Sequence, residues 1–224
     1  MPDVNSFTPG TLGAVCFSTA YFPPVEYVAL WMHATASYLE QYEYVEKQSY
    51  RNRCRIATTS GMMELSIPLD RPNGNRTLIR DVRLSGHGDW PLQHWKTIEA
   101  AYQSSPYFEY YADELEELYR KPGDFLWDFN TRTMEFVRSW IDRLEAPVPT
   151  SAFGQLPEEC LQLRNGIHPK KPALFAGVPP YYQVFSQKNG FIAHLSVLDL
   201  LMNCGNEAIL YLNSFKDRKF SVFL

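Results

Sequence analysis

The chain has 224 residues, enough for one sizeable core and too few for two ordinary enzymatic domains plus a linker. Its 45% hydrophobic, 21% charged and 15% aromatic residues describe a folded globular protein and exclude disorder across the whole chain. A formal charge of -4 and a pI near 5.8 argue against a partner recognised through a chain-wide basic footprint, so no nucleic-acid partner is expected.

The opening MPDVNSFTPG has neither a basic start nor an apolar h-region, and no stretch reaches the run of about 18 apolar residues that a spanning helix needs. A cytoplasmic location without a membrane span is therefore expected. Leu12 to Phe17 suits a buried strand, and Pro24 opens a helix in which Val25, Val28, Met32 and Ala36 share a face. Tyr38 to Val45 reads as an aromatic strand, which completes a βαβ unit. Tyr50 to Thr58 and Met62 to Ile67 form a hairpin around Thr59-Ser60-Gly61, followed after Arg71-Pro72-Asn73-Gly74 by a strand from Leu78 to Leu84.

Helices are expected from Trp90 to Gln103, from Ser105-Pro106 through Tyr119, and after Gly123-Asp124. In the third, Phe125, Phe129, Phe136, Trp140 and Leu144 form an apolar stripe assigned to the core. Residues 147–180 are rich in proline and glycine and read as a long irregular connection, with a short helix at Pro157 to Leu163. A strand near Tyr182 to Phe185, helices at Leu195 to Met202 and Glu207 to Leu212, and an edge strand at Phe220 to Leu224 close the chain. The fold class is thus α/β, a mixed sheet with an N-terminal βαβ unit, a central antiparallel hairpin region and a helical second half, in a single domain over 1–224.

On a regular strand Arg51, Arg53 and Arg55 share one face about seven ångströms apart, while Asn52 faces the other way. Guanidiniums in a row suit a carboxylate or phosphate, whereas the bland alternative is a solvated face paired to Glu40, Glu43 or Glu64. The turn Ser18-Thr19-Ala20-Tyr21-Phe22-Pro23-Pro24 lies where α/β sheets bind ligands, at a strand's carboxyl end. Glu40 among Tyr38, Tyr42 and Tyr44 is a candidate general base, or equally a hydrogen-bonded or arginine-paired carboxylate. His94 on a mostly apolar helix face fits a core histidine better than a ligand.

The five histidines have no paired metal-ligand spacing, and no phosphate-loop, dinucleotide or nucleophile-elbow motif occurs, so neither a metal nor a cofactor is expected. The four cysteines are widely separated and read as free, mostly buried thiols.

The segments STAYFPPVEYVALW, YRNRCRI with SIPLDRP, IRDVRLSGHGDWPLQHWKTIEAAYQSSPYFEYY and GFIAHLSVLDLLMNCG, in that order, resemble the WbqC-like family over nearly the whole chain. The most specific pieces are Asn52-Arg53, the Trp90 to Tyr102 segment leading into Ser105-Pro106-Tyr107-Phe108, and the ending that runs from Leu195-Ser196 through Asp199-Leu200-Leu201 and Asn203 to Gly205. The resemblance implies a transferase of bacterial surface polysaccharide (O-antigen type) synthesis, adding a glycyl or other acyl group to a sugar or nucleotide sugar. The alternative is a non-catalytic anion-binding or scaffold protein of the same fold.

Under that resemblance Glu40 and Tyr21 are the catalytic candidates, and Arg51, Asn52, Arg53, Lys96, His94 and Trp90 the substrate-binding ones. The partner is an anionic small molecule, a nucleotide sugar or amino acid, and assembly into homo-oligomers is left open. The chain departs from the family pattern at Thr19-Ala20, which replaces Gln-Pro, at Glu40-Gln41, which replaces an aspartate pair, and at His194, which replaces asparagine. An enzyme predicts that Glu40, Tyr21, Arg53 and Lys96 converge on one concave pocket.

Overall fold

The structure is a computed structural model that describes residues 5–222. Strand β1 (Asn5–Phe7) is followed by β2 (Ala14–Ser18), α1 (Val25–His33) and β3 (Ala36–Glu40). β2 is apolar along most of its length because neighbours cover both its faces, and β3 pairs parallel to it with Ser18 opposite Glu40. Pro24 caps α1 at φ −64°, and its carbonyl accepts from the amides of Tyr27 and Val28. The βαβ unit read from the sequence is present.

The hairpin β4 (Arg53–Thr58) and β5 (Gly61–Ser66) turns at Gly61, whose φ of +104° only glycine adopts without strain. The short strands β6 (Leu69–Asp70) and β7 (Arg83–Leu84) pair antiparallel beside it. Helices α2 (Trp90–Tyr102), α3 (Phe108–Arg120) and α4 (Leu126–Ser139) follow, each packed on the next, with α2 also against β4. Phe129, Phe136 and Leu144 of the expected stripe are buried in one continuous core.

Residues 147–180 supply both edges of the parallel sheet. β8 (Val148–Pro149) pairs with β3 and β9 (Leu161–Gln162) pairs with β2, giving the order β8-β3-β2-β9 with all four strands parallel. The chain then forms α5 (Ser186–Asn189), α6 (Val197–Cys204), α7 (Ala208–Asn213) and β10 (Phe220–Val222), which pairs antiparallel with β1. α6 and α7 cover α1.

Four local expectations are corrected. The strand from Tyr38 stops at Glu40 because the Tyr42 amide turns to the Glu40 carboxylate. The strand from Leu78 shrinks to Arg83–Leu84, since Ile79 to Asp81 wind into a 3-10 turn whose first amide reaches the Glu43 carbonyl. No helix forms at Pro157 to Leu163, where the amide of Leu163 extends the ladder of β9 to the Cys16 carbonyl. Tyr182 to Phe185 makes no strand; the Gln183 side-chain amide instead exchanges two hydrogen bonds with the Ile192 backbone. The expected strand end at Phe223 and Leu224 lies outside the described residues.

All four cysteines are free, with Cys16 and Cys54 buried and Cys160 and Cys204 half-buried. No helix among the described residues is long and apolar enough to cross a membrane. Those residues hold no group of three or more metal-ligating side chains.

Candidate anion-binding site

Because β8, β3, β2 and β9 are all parallel, residues at or just beyond the carboxyl end of each gather at one edge of the sheet: Thr150, Glu40, Ser18 and Arg164. Above that edge opens a cleft of ≈ 560 Å³, with Arg164, Lys171, Gln162, Phe153, Tyr44 and Glu46 in its walls and Glu43 and Arg51 at its base.

Arg51 holds this edge together. It lies before β4 rather than on it, in a turn, and is buried. Its Nε and Nη2 each donate to one oxygen of Glu43 at 2.8 Å, and its Nη1 donates to Glu46 Oε2 at 3.0 Å. Nη2 also reaches Ser18 Oγ at 2.7 Å and Asn165 Oδ1 at 3.1 Å. Ser18 in turn donates to the Arg164 carbonyl at 2.6 Å. A planar fork with fixed donor directions is what such a node requires. With all three of its nitrogens hydrogen-bonded inside the protein, Arg51 positions the neighbouring chain.

Glu40 is fully buried. Its Oε1 accepts from Thr150 Oγ1 at 2.8 Å and from the Tyr42 amide at 2.9 Å, and its Oε2 accepts from the Gly154 amide at 3.0 Å and faces Arg164 Nη1 at 3.6 Å. Both oxygens are engaged, so the carboxylate holds the 150–154 turn and Arg164. Being buried, Glu40 does not line the cleft, which takes it out of reach of a substrate proton there.

The cations with donors to spare are Arg164 and Lys171. The Arg164 guanidinium lies 4.8 Å over the exposed Phe153 ring, and among the described residues Lys171 makes no ion pair. Gln162 adds a side-chain carbonyl that has no hydrogen-bond partner. Glu46 is the half-exposed carboxylate of the wall; Arg51 holds its Oε2, while Oε1 stands 3.7 Å from His168 Nε2, too far for a hydrogen bond. Burial holds the His168 imidazole below its ordinary value, against an upward pull from Glu46. Its Nδ1 accepts from the Lys170 amide.

The expected convergence of Glu40, Tyr21, Arg53 and Lys96 does not occur. Tyr21 lies fully buried, with its hydroxyl between His94 Nδ1 at 2.9 Å and Tyr119, and burial lifts its pKa well above the ordinary tyrosine value. His94 and Trp90 belong to the same aromatic cluster, and burial lowers the His94 pKa to about 4. These three are core residues. Lys96 stands exposed on α2, paired to Glu99 at 2.7 Å and lining neither this cleft nor the next.

Arg53 and Arg55 do share a face of β4, as strand periodicity requires, and both turn to Glu64 across the hairpin at 2.5 and 3.6 Å. Asn52 ties the start of β4 to the end of β5: its amide side chain donates to the Ile67 carbonyl, and its own carbonyl accepts from the Ile67 amide. Asn52 and Arg53 line a separate, smaller cleft. Arg164 and Lys171 were missed because they lie in the stretch without periodicity, where the only available signal was basic residues beyond a short apolar pair.

The sequence model of the WbqC-like protein family matches residues 19–162. That span runs from the turn after β2 to the end of β9 and stops just short of Arg164. An uncharacterized protein of Mycobacterium tuberculosis, Rv1507c, is 24% identical over 194 residues, covering 74% of this chain and 82% of that protein. No solved structure matches.

Proposed function

The chain belongs to the WbqC-like protein family, and from that premise we propose that the cleft at the carboxyl edge of the parallel sheet binds a phosphorylated sugar, such as a nucleotide sugar, for a cytoplasmic transferase of surface polysaccharide synthesis. The observation that carries this reading is the pairing of two cations with donors to spare, Lys171 without an ion pair among the described residues and Arg164 with only one nitrogen turned to Glu40, with an orphan acceptor, Gln162, and the aromatic walls Phe153 and Tyr44. Phosphate oxygens suit the cations, a sugar hydroxyl suits the Gln162 carbonyl, and a flat ring suits the aromatic walls. Glu46 replaces Glu40 as the candidate base, because one of its oxygens is free and it borders the cleft.

The test is a thermal-shift series with nucleotide sugars, using Arg164→Ala/Lys171→Ala as the comparison, since a ligand that binds only the native state raises its stability. The wild type should gain several degrees at saturating ligand, and the double variant should gain none. An equal shift in both proteins would overturn the assignment. A second reading, a binding protein without chemistry, is favoured by the burial and full engagement of Glu40 and Tyr21. If Glu46→Gln keeps the thermal shift and loses turnover, the protein is an enzyme; if no substrate pair turns over with the wild type, the second reading stands.

A further inference from the structure

The Asn52-Arg53 pair, the most specific sequence feature of the hairpin, lines a second cleft of ≈ 270 Å³ next to the first. Its cations are Lys47, Arg53 and Arg71, against the single carboxylate Glu46. Among the described residues Lys47 and Arg71 make no ion pair, and Arg71 reaches only the Asn75 side chain at 3.3 Å. Arg53 gives one terminal nitrogen to Glu64, and its Nε–H is buried without a partner. The turn that carries Lys47 also holds Gln48 at φ +58°, a left-handed conformation costly for a residue with a side chain and concentrated at functional sites. Positive charge and an orphan donor thus meet around strained backbone.

Glu46 is the residue common to the walls of the two clefts. Arg51 fixes one of its oxygens from the larger cleft, so the side chain forms a partition between two cationic compartments. The smaller volume lies just below the ~300 Å³ at which ligand pockets usually begin, which suits one small molecule or a single group of a larger one.

We propose that the smaller cleft is a second anion-binding site, taking a small molecule through its carboxylate or phosphate on Lys47, Arg53 and Arg71, and that Glu46 divides it from the first site. A protein that joins two substrates needs two such compartments with a shared wall, so this inference rests on the larger cleft also being a ligand site. The side of Glu46 turned away from Arg51 is then open to a hydroxyl or amine of either ligand.

The experiment is an amide NMR titration of the full chain with inorganic phosphate, repeated with malonate to separate phosphate from carboxylate preference. Two groups of amides should shift and saturate independently, one over 46–53 and 69–71 and the other over 162–171. Lys47→Ala/Arg71→Ala should weaken the first group at least tenfold and leave the second, and Arg164→Ala/Lys171→Ala should do the reverse. Lys96→Ala, on an exposed helix face, should change neither and serves as the folded control. Glu46→Gln, which removes the negative partition, should tighten both sites severalfold.

Shifts confined to 162–171 with both anions would overturn the second site while leaving the first intact. Shifts confined to 46–53 and 69–71 would overturn the first site, and with it the two-compartment arrangement. A Glu46→Gln effect on one group alone would overturn the shared wall.

Discussion

Arg51 is buried with its guanidinium divided among Glu43, Glu46, Ser18 and Asn165, so its charge is needed inside the protein. Replacing one partner of a buried pair leaves the other charge desolvated and alone, which typically costs about 3–5 kcal/mol. Arg51→Met should therefore lower the unfolding free energy from urea denaturation by that much, because Glu43 has a side-chain exposure of only 7%. A loss under ~1 kcal/mol would show that the node is not structural. Arg51→Lys should recover little, since one ammonium cannot replace a fork that meets both Glu43 oxygens. The sequence shows an arginine in a charged row, and the reading of a salt-bridged face offers Glu40, Glu43 or Glu64 as partners, of which Glu43 takes Arg51 and Glu64 takes Arg53 and Arg55. It could not show that the chain turns before Arg53 and sends Arg51 inward, because strand periodicity assumes that the strand has already begun.

At the scale of elements, the βαβ unit, the hairpin and the first three large helices were legible because each carries its own period, turn or cap. The edges of the parallel sheet were not. β8 and β9 are two residues long, too short for any alternation to register, and their pairing is decided by the open edges of β3 and β2. What fixes β8 and the turn beyond it is a side chain: Glu40 accepts from Thr150 and Gly154. Glu40→Ala leaves those buried donors and Arg164 without an acceptor, at a cost of ~3 kcal/mol. The loss should be local. Hydrogen exchange should accelerate over 148–164 by orders of magnitude more than over β4 and β5. Equal acceleration in both regions would mean that the segment opens only when the whole protein does.

Across the whole molecule, the placement of the histidines contributes to how stability responds to mild acid, opposed by Asp199, whose burial raises its carboxyl pKa. Burial lowers the pKa of His94 to about 4 from an ordinary value of 6.5, and it also lowers those of His33 and His168. For each of these the unfolded chain binds the proton more readily, so stability falls as pH drops below 6.5, and for His94 the fall continues to about 4. His194 acts in the opposite sense. Its hydrogen bond from Nδ1 to Glu26 raises its pKa, so the stability it contributes is present below the unfolded value and is lost as pH rises through the folded one. His94 should dominate, since a shift of that size corresponds to about 3 kcal/mol and the ring is buried against Tyr21, Trp90 and Tyr119. Chemical denaturation of the wild type at a series of pH values from 7 to about 4 should therefore give a steadily falling unfolding free energy. His94→Gln cannot take up a proton in that range and keeps a side-chain acceptor for the Tyr21 hydroxyl, so it should be less stable at pH 7 and have a flatter profile, the two curves converging toward the acid end. Parallel curves would show that the aromatic cluster protonates without opening and that the acid response of the molecule originates elsewhere.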